Sequence, residues 1–239
     1  MLPADWQIPD GVKLAFSERT SGVSQPPFDS LNLGEHVGDD PQAVLQNRRL
    51  LSLQLGLTSE PAWLTQVHGI DIVDLDSDDN RTADGSVCRS TDHVCVVMTA
   101  DCLPVLICDK QATQVAAVHA GWRGLCSGII EAAVASFNAP ADELYVYLGP
   151  CIGADAFEVG SEVRQAFVSQ HPQTSQYFIP QGDKYFGDLQ GIACYRTQAL
   201  GVQHIYQLPH CTYRLSERYF SYRRDSVTGR MASLIWLEK

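Results

Sequence analysis

The 239-residue sequence predicts an α+β fold in a single domain covering residues 1–239. Three short apolar segments of strand length follow one another closely in the middle of the chain, and segments with helical spacing of apolar residues lie before and after them. Strands that are neighbours in sequence favour local pairing, whereas a parallel sheet requires strands and helices to alternate strictly. No repeat of fixed period, low-complexity tract or linker divides the sequence, so one domain is the simplest interpretation.

The first half of the chain combines strands, one helix and long polar loops. Asp40 and Pro41 are typical of a helix start, since an aspartate side chain can accept hydrogen bonds from the first backbone amides and proline is tolerated in the first turn. Gly56 is the expected end of this helix, and the acidic stretch from Asp76 to Asp84 is expected to form a surface loop. Strands are predicted over residues 12–17, 62–67 and 70–75.

The second half contains the apolar strands that define the predicted sheet. Segments 104–108 and 114–119 are separated by a turn at 109–112, so we expect them to form a hairpin. Gly201 is the expected end of a helix that begins near Leu189. The other strands are predicted at 94–99, 144–148, 202–206, 219–222 and 231–237, and the other helices at 125–137 and 158–168.

Composition and charge restrict the kinds of partner. The formal net charge of −11 and the isoelectric point near 4.9 weigh against a nucleic-acid or anionic-membrane partner. The N-terminal residues lack the basic and apolar regions of a signal peptide, and the longest apolar runs are too short to span a bilayer. We therefore expect a cytoplasmic protein whose eight cysteines are reduced. None of them forms a C-x-x-C pair, which argues against a zinc ribbon.

Two possible metal ligands, Cys102 and His119, lie close together in sequence, and a third, His68, lies upstream. Each of the three is found where a predicted strand ends, so their side chains can converge at one edge of a sheet. Zinc that performs chemistry is usually held by three protein ligands, with a fourth position left for water or substrate. We therefore predict one zinc ion held by His68, Cys102 and His119. The alternative is that backbone hydrogen bonds satisfy both histidines and that the cysteine fills core space.

Asp101 and Arg123 flank these ligands and are candidate catalytic residues. Asp101 can orient a group around the metal or act as a base, although a turn aspartate that accepts hydrogen bonds from backbone amides explains it equally well. Gly121–Gly124 mark a passage from strand to helix, where backbone amides and the Arg123 guanidinium can bind an anion. A solvated surface arginine is the alternative.

A third candidate is Cys151, which follows the strand predicted at 144–148 and lies in a segment rich in glycine and proline. This setting allows an active-site loop, and it fits a tight packing turn somewhat better. The cluster Tyr219–Asp225 combines aromatic and basic side chains that can contact a ligand. A half-buried strand followed by a solvated turn has the same composition.

A series of short motifs occurs in order along the chain. They are Ser30-Leu31-Asn32-Leu33-Gly34, Val37-Gly38-Asp39-Asp40 with Asn47-Arg48, Thr65-Gln66-Val67-His68-Gly69, Ala83-Asp84-Gly85, Thr99-Ala100-Asp101-Cys102-Leu103-Pro104, His119-Ala120-Gly121-Trp122-Arg123-Gly124, Leu148-Gly149-Pro150-Cys151-Ile152-Gly153, Cys211-Thr212 and Phe220-Ser221-Tyr222-Arg223-Arg224-Asp225. Together they resemble the laccase-domain family, whose bacterial members are also called purine nucleoside phosphorylases of this type, polyphenol oxidases or peptidoglycan editing factors. The resemblance covers nearly the whole chain.

The resemblance implies a layered α/β/β/α sandwich with mixed sheets and a zinc site at the positions of His68, Cys102 and His119. It also implies phosphorolysis of adenosine, guanosine, inosine and methylthioadenosine, together with deamination of adenosine. The expected partners are therefore a purine nucleoside and phosphate. The phosphate would be held either at the helix start with Arg123 or by Arg48, and Asp101 is the candidate proton shuttle for deamination.

Three other functions stay open from the sequence, and the oligomeric state is not predicted. Copper-dependent phenol oxidation has weak support because the chain has seven histidines and no His-x-His pair, although copper binds such donor sets more tightly than zinc. Hydrolysis of an amide in a cell-wall precursor, such as a UDP-MurNAc-linked amino acid, needs a metal-activated water or Cys102 as nucleophile. A non-catalytic zinc-stabilised protein is disfavoured because structural zinc normally has four protein ligands.

Overall fold

The computed structural model describes residues 2–238, and within them the chain forms thirteen strands and six α-helices. The strands are β1 (Val12–Phe16), β2 (Pro61–Ala62), β3 (Ile72–Asp74), β4 (Gly85–Cys88), β5 (Val94–Thr99), β6 (Leu103–Asp109), β7 (Val115–Ala120), β8 (Leu144–Leu148), β9 (Glu158–Val159), β10 (Phe178–Gln181), β11 (Lys184–Gly187), β12 (His204–Gln207) and β13 (Met231–Leu237). The helices are α1 (Pro41–Leu55), α2 (Trp122–Ser127), α3 (Ile129–Ala135), α4 (Ser161–Gln170), α5 (Leu189–Ala199) and α6 (Tyr222–Asp225).

Two sheets form the middle layers of the molecule. The larger sheet has the strand order β12-β8-β6-β7-β4-β3, and the smaller has the order β1-β13-β5-β2. Both are mixed, since β12 runs parallel to β8 and β2 runs parallel to β5 while most other pairs are antiparallel. Buried side chains from both sheets, such as Val97 and Leu106, pack in one cluster between them. A small third sheet, β10-β11-β9, contacts α4.

Helices cover the outer faces of both sheets. On the larger sheet, Ile130 of α3 and Ile192 of α5 belong to the same buried cluster as Ile107 of β6. On the smaller sheet, Leu51 of α1 packs with Val96 of β5. The order of layers is therefore helix, sheet, sheet, helix, and the predicted α+β fold with its α/β/β/α layering is confirmed.

The boundaries of α1 follow from its sequence as predicted. The Asp40 side chain accepts a hydrogen bond from the backbone N–H of Gln42 at 3.0 Å and so satisfies a free amide of the first turn. At the other end, Gly56 has φ of 65°, which is a left-handed conformation that glycine adopts without steric cost. The hairpin of β6 and β7 is also as expected, and every residue of both strands is buried.

Several predicted elements differ from the structure. The helix predicted over 125–137 is two helices, because Gly128 between α2 and α3 has φ of 106° and interrupts the turn. The segment 158–168 begins as strand β9 and becomes helical only at Ser161. The strand predicted over 219–222 is wrong, since these residues lie in an irregular segment that leads into α6.

The strands predicted over 62–67 and 70–75 are shorter in the structure, where β2 and β3 contain two and three residues. The irregular segment between them carries His68, whose φ of 62° does not occur in a β-strand. Among the helices of residues 2–238, none is long and apolar enough to cross a bilayer.

Candidate metal centre and adjoining cleft

His68, Cys102 and His119 are brought together by three separate parts of the chain. Cys102 immediately precedes β6, His119 lies in β7 opposite Pro104, and His68 lies between β2 and β3. One potential ligand atom from each residue lies within 4.8 Å of the others. His119 is buried, Cys102 is partly buried and His68 is exposed, so the cluster is open to solvent on the His68 side. The structure thus brings together the three side chains that the sequence selects.

Gly121 allows the backbone to approach all three side chains closely. A Cβ atom at this position would lie 3.1 Å from Cys102 Sγ, 3.2 Å from His68 Cδ2 and 3.4 Å from His119 Cε1. A side chain there would force these groups to shift, because such separations are shorter than ordinary van der Waals contacts. The candidate ligands therefore pack against backbone on this side, and a side chain at this position would fit only if they moved by a few tenths of an ångström.

Asp84 contacts two of the three side chains and is fully buried. Its Oδ1 accepts the backbone N–H of His68 at 2.9 Å and lies 2.8 Å from His119 Nδ1. Its Oδ2 accepts the backbone N–H groups of Val67 at 3.0 Å and Gly69 at 2.7 Å. When Nδ1 of His119 donates to this carboxylate, Nε2 is the ring nitrogen available to a metal.

Asp101 shapes the turn that carries Cys102. Its φ of 94° is a left-handed conformation that a non-glycine residue adopts only where surrounding contacts hold it. Oδ1 accepts the Thr212 hydroxyl at 2.7 Å, and Oδ2 accepts the Arg223 backbone N–H at 2.7 Å. Because the residue is buried and both oxygens are engaged, these contacts support a positioning role and do not support the predicted proton shuttle.

The cluster without metal contains a thiolate beside an imidazolium. Burial raises the pKa of the Cys102 thiol, but the charge of His119 and hydrogen bonds from both histidines outweigh burial and lower the pKa to about 6. Burial likewise lowers the pKa of His119, but the Cys102 thiolate and Asp84 outweigh it and raise the pKa to about 9. Burial opposes ionisation of Asp84 too, yet hydrogen bonds from His119, Gly69 and Val67 bring its pKa to about 2.

Zinc uptake is expected to release about one proton per metal near neutral pH. His119 must lose its proton before it can bind a metal, whereas Cys102 is already mostly thiolate above its pKa of about 6. The apparent zinc affinity is therefore expected to rise by roughly tenfold per pH unit, until it levels off above the His119 pKa of about 9. Calorimetric titration in two buffers with different protonation enthalpies measures the number of released protons. A zinc affinity that does not change between about pH 6 and pH 9 would contradict the expectation.

The cluster lines a cleft of about 540 Å³. This volume lies within the range of small-molecule binding sites. Other parts of the lining come from distant segments, namely Arg48 of α1, Trp63 after β2, Tyr222 of α6 and Arg230 just before β13. The cleft therefore combines possible metal ligands with aromatic and cationic side chains.

Arg48 is fixed in the cleft by three contacts. Its Nε donates to the Leu33 carbonyl oxygen at 3.0 Å, and its Nη1 donates to Glu35 Oε1 at 2.8 Å. The guanidinium carbon lies 4.1 Å from the centre of the Trp63 ring, within the range of a cation–π contact. These contacts define the plane of the guanidinium group, which is a rigid fork of N–H donors.

Arg230 presents a second guanidinium in the same cleft. Its Nη1 donates to the carbonyl oxygens of Thr228 and Gly229, each at 3.0 Å. In the part of the chain that the structure describes, no carboxylate forms an ion pair with it. Burial lowers the pKa of Arg230, and burial together with the charges of Arg230 and Arg48 lowers that of the neighbouring His36. The negative charges of Cys102 and Asp101 lie near enough to act against this lowering of the Arg230 pKa, but no carboxylate among the described residues occupies the guanidinium, so it can contact an anionic ligand.

Besides Asp101, two more of the predicted catalytic residues, Arg123 and Cys151, are not part of the cleft lining. Arg123 is exposed, and its guanidinium carbon lies 4.5 Å from the centre of the Trp122 ring. Cys151 is buried and forms a β-bridge with Cys211, and burial raises the pKa of its thiol well above the usual value. The geometry therefore gives no support to a catalytic role for either residue, whereas Arg48 does line the cleft.

Asp84 and Arg230 are the site residues that the sequence prediction missed. The expectation of a surface loop from Asp76 to Asp84 is wrong at its last two positions, because Ala83 and Asp84 are buried and lead directly into the buried strand β4. Two signals were available: the motif Ala83-Asp84-Gly85, to which no role was given, and the run Gly85-Ser86-Val87-Cys88, which contains no charged residue. Arg230 has no comparable local signal, since it precedes a predicted strand and reaches the cleft only through the tertiary fold.

The donor set of this cluster fits zinc. Two imidazole nitrogens and one thiolate are ligands that zinc binds in proteins, and three protein ligands are typical of sites where zinc takes part in chemistry. The fold and the site together therefore define a class: an α/β/β/α protein with a candidate N,S,N metal centre beside a cationic cleft.

Comparison with known proteins identifies the family. The family described as multi-copper polyphenol oxidoreductase laccase matches residues 13–238, and the chain belongs to it. Among curated proteins, one from Escherichia coli (strain K12) named purine nucleoside phosphorylase YfiH is 48% identical over 239 residues, which cover 99% of this chain and 98% of that protein. A Pseudomonas aeruginosa protein also named purine nucleoside phosphorylase is 48% identical with the same coverage.

Solved structures agree with this assignment. The crystal structure of a Neisseria meningitidis protein matches with a TM-score of 0.94 and 45% identity, covering 100% of this chain and 99% of that one. The crystal structure of YlmD from Geobacillus stearothermophilus matches with a TM-score of 0.90 and 29% identity, covering 96% and 93% of the two chains. The similarity therefore extends over the entire layered fold.

Proposed function

We propose that this protein is a zinc-dependent purine nucleoside phosphorylase. The observation that carries the proposal is that one cleft joins the His68, Cys102 and His119 cluster to two guanidinium groups, those of Arg48 and Arg230. A phosphorylase needs a nucleoside pocket and an anion site side by side, and a cleft of this composition can provide both. The names of the two relatives, each 48% identical to this chain, support the same activity.

In the proposed complex, Arg48 and Arg230 bind the phosphate. The contacts of Arg48 with Glu35 and Trp63 hold its guanidinium in one plane, which suits a bidentate contact with phosphate oxygens. Arg230 forms no ion pair with a carboxylate among the described residues, so a phosphate can contact it without displacing one. Arg123, the other predicted anion ligand, is left out because it is exposed and does not line the cleft.

Phosphorolysis forms a bond between a phosphate oxygen and C1′ of the ribose while the bond from C1′ to the purine nitrogen breaks. The leaving purine keeps the bonding electron pair and takes up a proton, and the sugar is released as ribose 1-phosphate. Two fixed arginines favour this step because they hold the attacking dianion in one orientation beside the sugar. Their charges also balance the phosphate in a partly buried site.

Each candidate ligand offers one donor atom to the proposed zinc ion. His119 offers Nε2 because its Nδ1 donates to Asp84, Cys102 offers a thiolate, and His68 completes the set from the exposed side. Asp101 holds the turn that carries Cys102. Zinc bound there would supply Lewis-acid stabilisation of negative charge on a phosphate or substrate oxygen.

We extend the proposal to adenosine, guanosine, inosine and methylthioadenosine as substrates and to deamination of adenosine in the same cleft. The support is that three protein ligands leave a coordination position free, which phosphorolysis and deamination can both use. No proton shuttle is assigned for the deamination, since both Asp101 oxygens are engaged by Thr212 and Arg223.

Incubation of the zinc-loaded protein with inosine and phosphate is expected to yield hypoxanthine and ribose 1-phosphate in equal amounts. The physical reason is that the cleft holds a nucleoside and an anion together. Chromatography of both products measures the reaction, and the control omits phosphate, because hydrolysis would instead give free ribose. A parallel incubation with adenosine detects inosine formed by deamination.

Two results would overturn this proposal. If inosine is unchanged while a serine-containing cell-wall precursor is cleaved, the amide-hydrolysis alternative is favoured. If no nucleoside is converted while the copper-loaded protein oxidises a phenol, the activity named in the family description is favoured.

A further inference from the structure

We propose that Asp84 is a positioning residue that sets both histidines of the metal centre at once, and that an amide cannot replace its carboxylate. The inference rests on the metal-binding part of the proposed function and is independent of the reaction. A positioning residue of this kind acts through the ligands it contacts, so its effect is expected on metal affinity first.

The two oxygens of Asp84 are shared between the two ligand-bearing segments. Oδ1 meets two donors, the backbone N–H of His68 at 2.9 Å and Nδ1 of His119 at 2.8 Å. Oδ2 meets two more, the backbone N–H groups of Val67 at 3.0 Å and Gly69 at 2.7 Å. All four partners of the carboxylate are therefore N–H donors, and an acceptor is required at both oxygen positions.

The contact with His119 sets the orientation and tautomer of that ring. The backbone carbonyl of Asp84 also accepts the backbone N–H of His119 at 2.7 Å, so main chain and side chain of Asp84 hold the same residue. A carboxylate on Nδ1 keeps the proton on that nitrogen and leaves Nε2 free of a proton once the ring is neutral. Only that tautomer presents a lone pair to a metal at Nε2.

The contacts with Val67, His68 and Gly69 hold the second ligand. His68 has φ of 62°, a left-handed conformation that is unfavourable for a residue with a Cβ atom. Three consecutive N–H groups converge on one carboxylate here, and this arrangement compensates for the backbone conformation. His68 is exposed, and its ring makes an edge-on contact with that of His119 at 4.8 Å between ring centres, so the backbone contacts with Asp84 supply much of what holds it in place.

An amide of the same shape, as in Asp84→Asn, has one acceptor oxygen and therefore cannot accept hydrogen bonds from all four N–H donors. If the amide nitrogen of this variant occupies the Oδ2 position, it faces the N–H groups of Val67 and Gly69, so the two residues that flank His68 lose their acceptor while the His68 N–H keeps its own. If the nitrogen occupies the Oδ1 position, it faces the His68 N–H and donates to Nδ1 of His119. The ring then keeps its proton on Nε2, which cannot bind a metal. The first orientation therefore disturbs the backbone that carries His68, and the second disturbs both histidines.

The test measures the zinc affinity of the metal-free Asp84→Asn variant by competition with a chromophoric chelator. The zinc dissociation constant is expected to rise by about 10- to 100-fold, the usual effect of losing a carboxylate that orients a histidine ligand. Zinc binding equal to that of the unmodified protein would overturn the proposal.

Asp109→Asn is the matched control. Asp109 is equally buried, and its carboxylate accepts the backbone N–H groups of Thr113 and Gln114 at 2.8 and 2.7 Å. It lies at the other end of the β6–β7 hairpin from the candidate ligands. Its replacement removes a buried carboxylate without touching the cluster, so its zinc affinity is expected to stay within about twofold. A loss as large as that of Asp84→Asn would assign the effect to general destabilisation and overturn the proposal.

A second measurement needs no variant and so does not depend on its folding. In the zinc-loaded unmodified protein, nuclear magnetic resonance is expected to show a protected imidazole N–H proton on His119 that is assigned to Nδ1. A proton on Nε2 instead would overturn the proposal. If zinc affinity falls in Asp84→Asn but the unmodified protein converts no nucleoside, the positioning role stands and the proposed phosphorylase activity fails.

Discussion

Replacing His119 with alanine is expected to leave the purified protein without bound zinc and to lower inosine phosphorolysis by about a thousandfold. His119 is the most deeply buried of the three candidate ligands and the one whose ring Asp84 contacts. Two remaining ligands hold zinc poorly, and loss of a Lewis acid removes several kcal/mol of transition-state stabilisation. About 4 kcal/mol corresponds to a thousandfold change in rate.

Metal content by elemental analysis and initial rates with inosine and phosphate check this expectation. His93→Ala is the control, because His93 pairs with Asp76 at 3.8 Å and is not a member of the cluster. Zinc content and rate should be unchanged in that variant. Full zinc retention by His119→Ala would contradict the ligand assignment, and zinc loss with an unchanged rate would separate the metal from the reaction.

Replacing Arg230 with alanine is expected to raise the KM for phosphate by about 10- to 100-fold. Hydrogen bonds to a charged group contribute about 1.5–3 kcal/mol, and each 1.4 kcal/mol corresponds to roughly a tenfold change in affinity. The KM for inosine should change much less, because the arginine is proposed to contact only phosphate. The KM for phosphate of Arg230→Lys should lie between those of the unmodified protein and Arg230→Ala, since lysine keeps the charge but lacks the planar fork.

Two further variants make this measurement specific. Arg164, whose guanidinium carbon lies 5.1 Å from the centre of the Tyr185 ring, does not line the cleft and serves as the control. Arg123→Ala tests the other anion site predicted from the sequence. A rise in the KM for phosphate in Arg123→Ala, with none in Arg230→Ala, would move the anion site to the start of α2.

The central strands of the fold are predictable because of where they lie. β5, β6 and β7 are buried along their whole length, so they appear in the sequence as apolar runs of strand length. The helix α1 is predictable for a different reason, since Asp40, Pro41 and Gly56 mark both of its ends through local backbone chemistry. In these cases the information lies within the element itself.

Other elements depend on contacts that no local pattern contains. β10 and β11 have four residues each and are mostly exposed or partly exposed, so they lack the long buried apolar run of a core strand. Tyr219 and Phe220 have the composition of a strand, yet they fill a buried cluster with Ala100 and Met231 from an irregular segment. Burial of these side chains explains why the segment is apolar, although its backbone does not form a strand.

Some residues of the candidate site could likewise be predicted from local sequence, and others depend on tertiary contacts. His68, Cys102 and His119 can be selected from residue type and from their positions at strand ends, because metal-binding chemistry restricts the donor set. Asp84 and Arg230 cannot be selected so easily, because aspartate and arginine are common at protein surfaces. Their roles depend on burial and on neighbours that come from other strands.

The contacts of Asp101 join a turn in the middle of the chain to residues that are synthesised much later. The three candidate ligands leave the ribosome before Thr212 and Arg223, the residues that hold Asp101 and hence the Cys102 turn. Arg230 follows, with a strand that must insert between β1 and β5. A growing chain therefore exposes its ligands before their geometry is fixed. The candidate metal centre is therefore complete only once the last strand of the chain has been added.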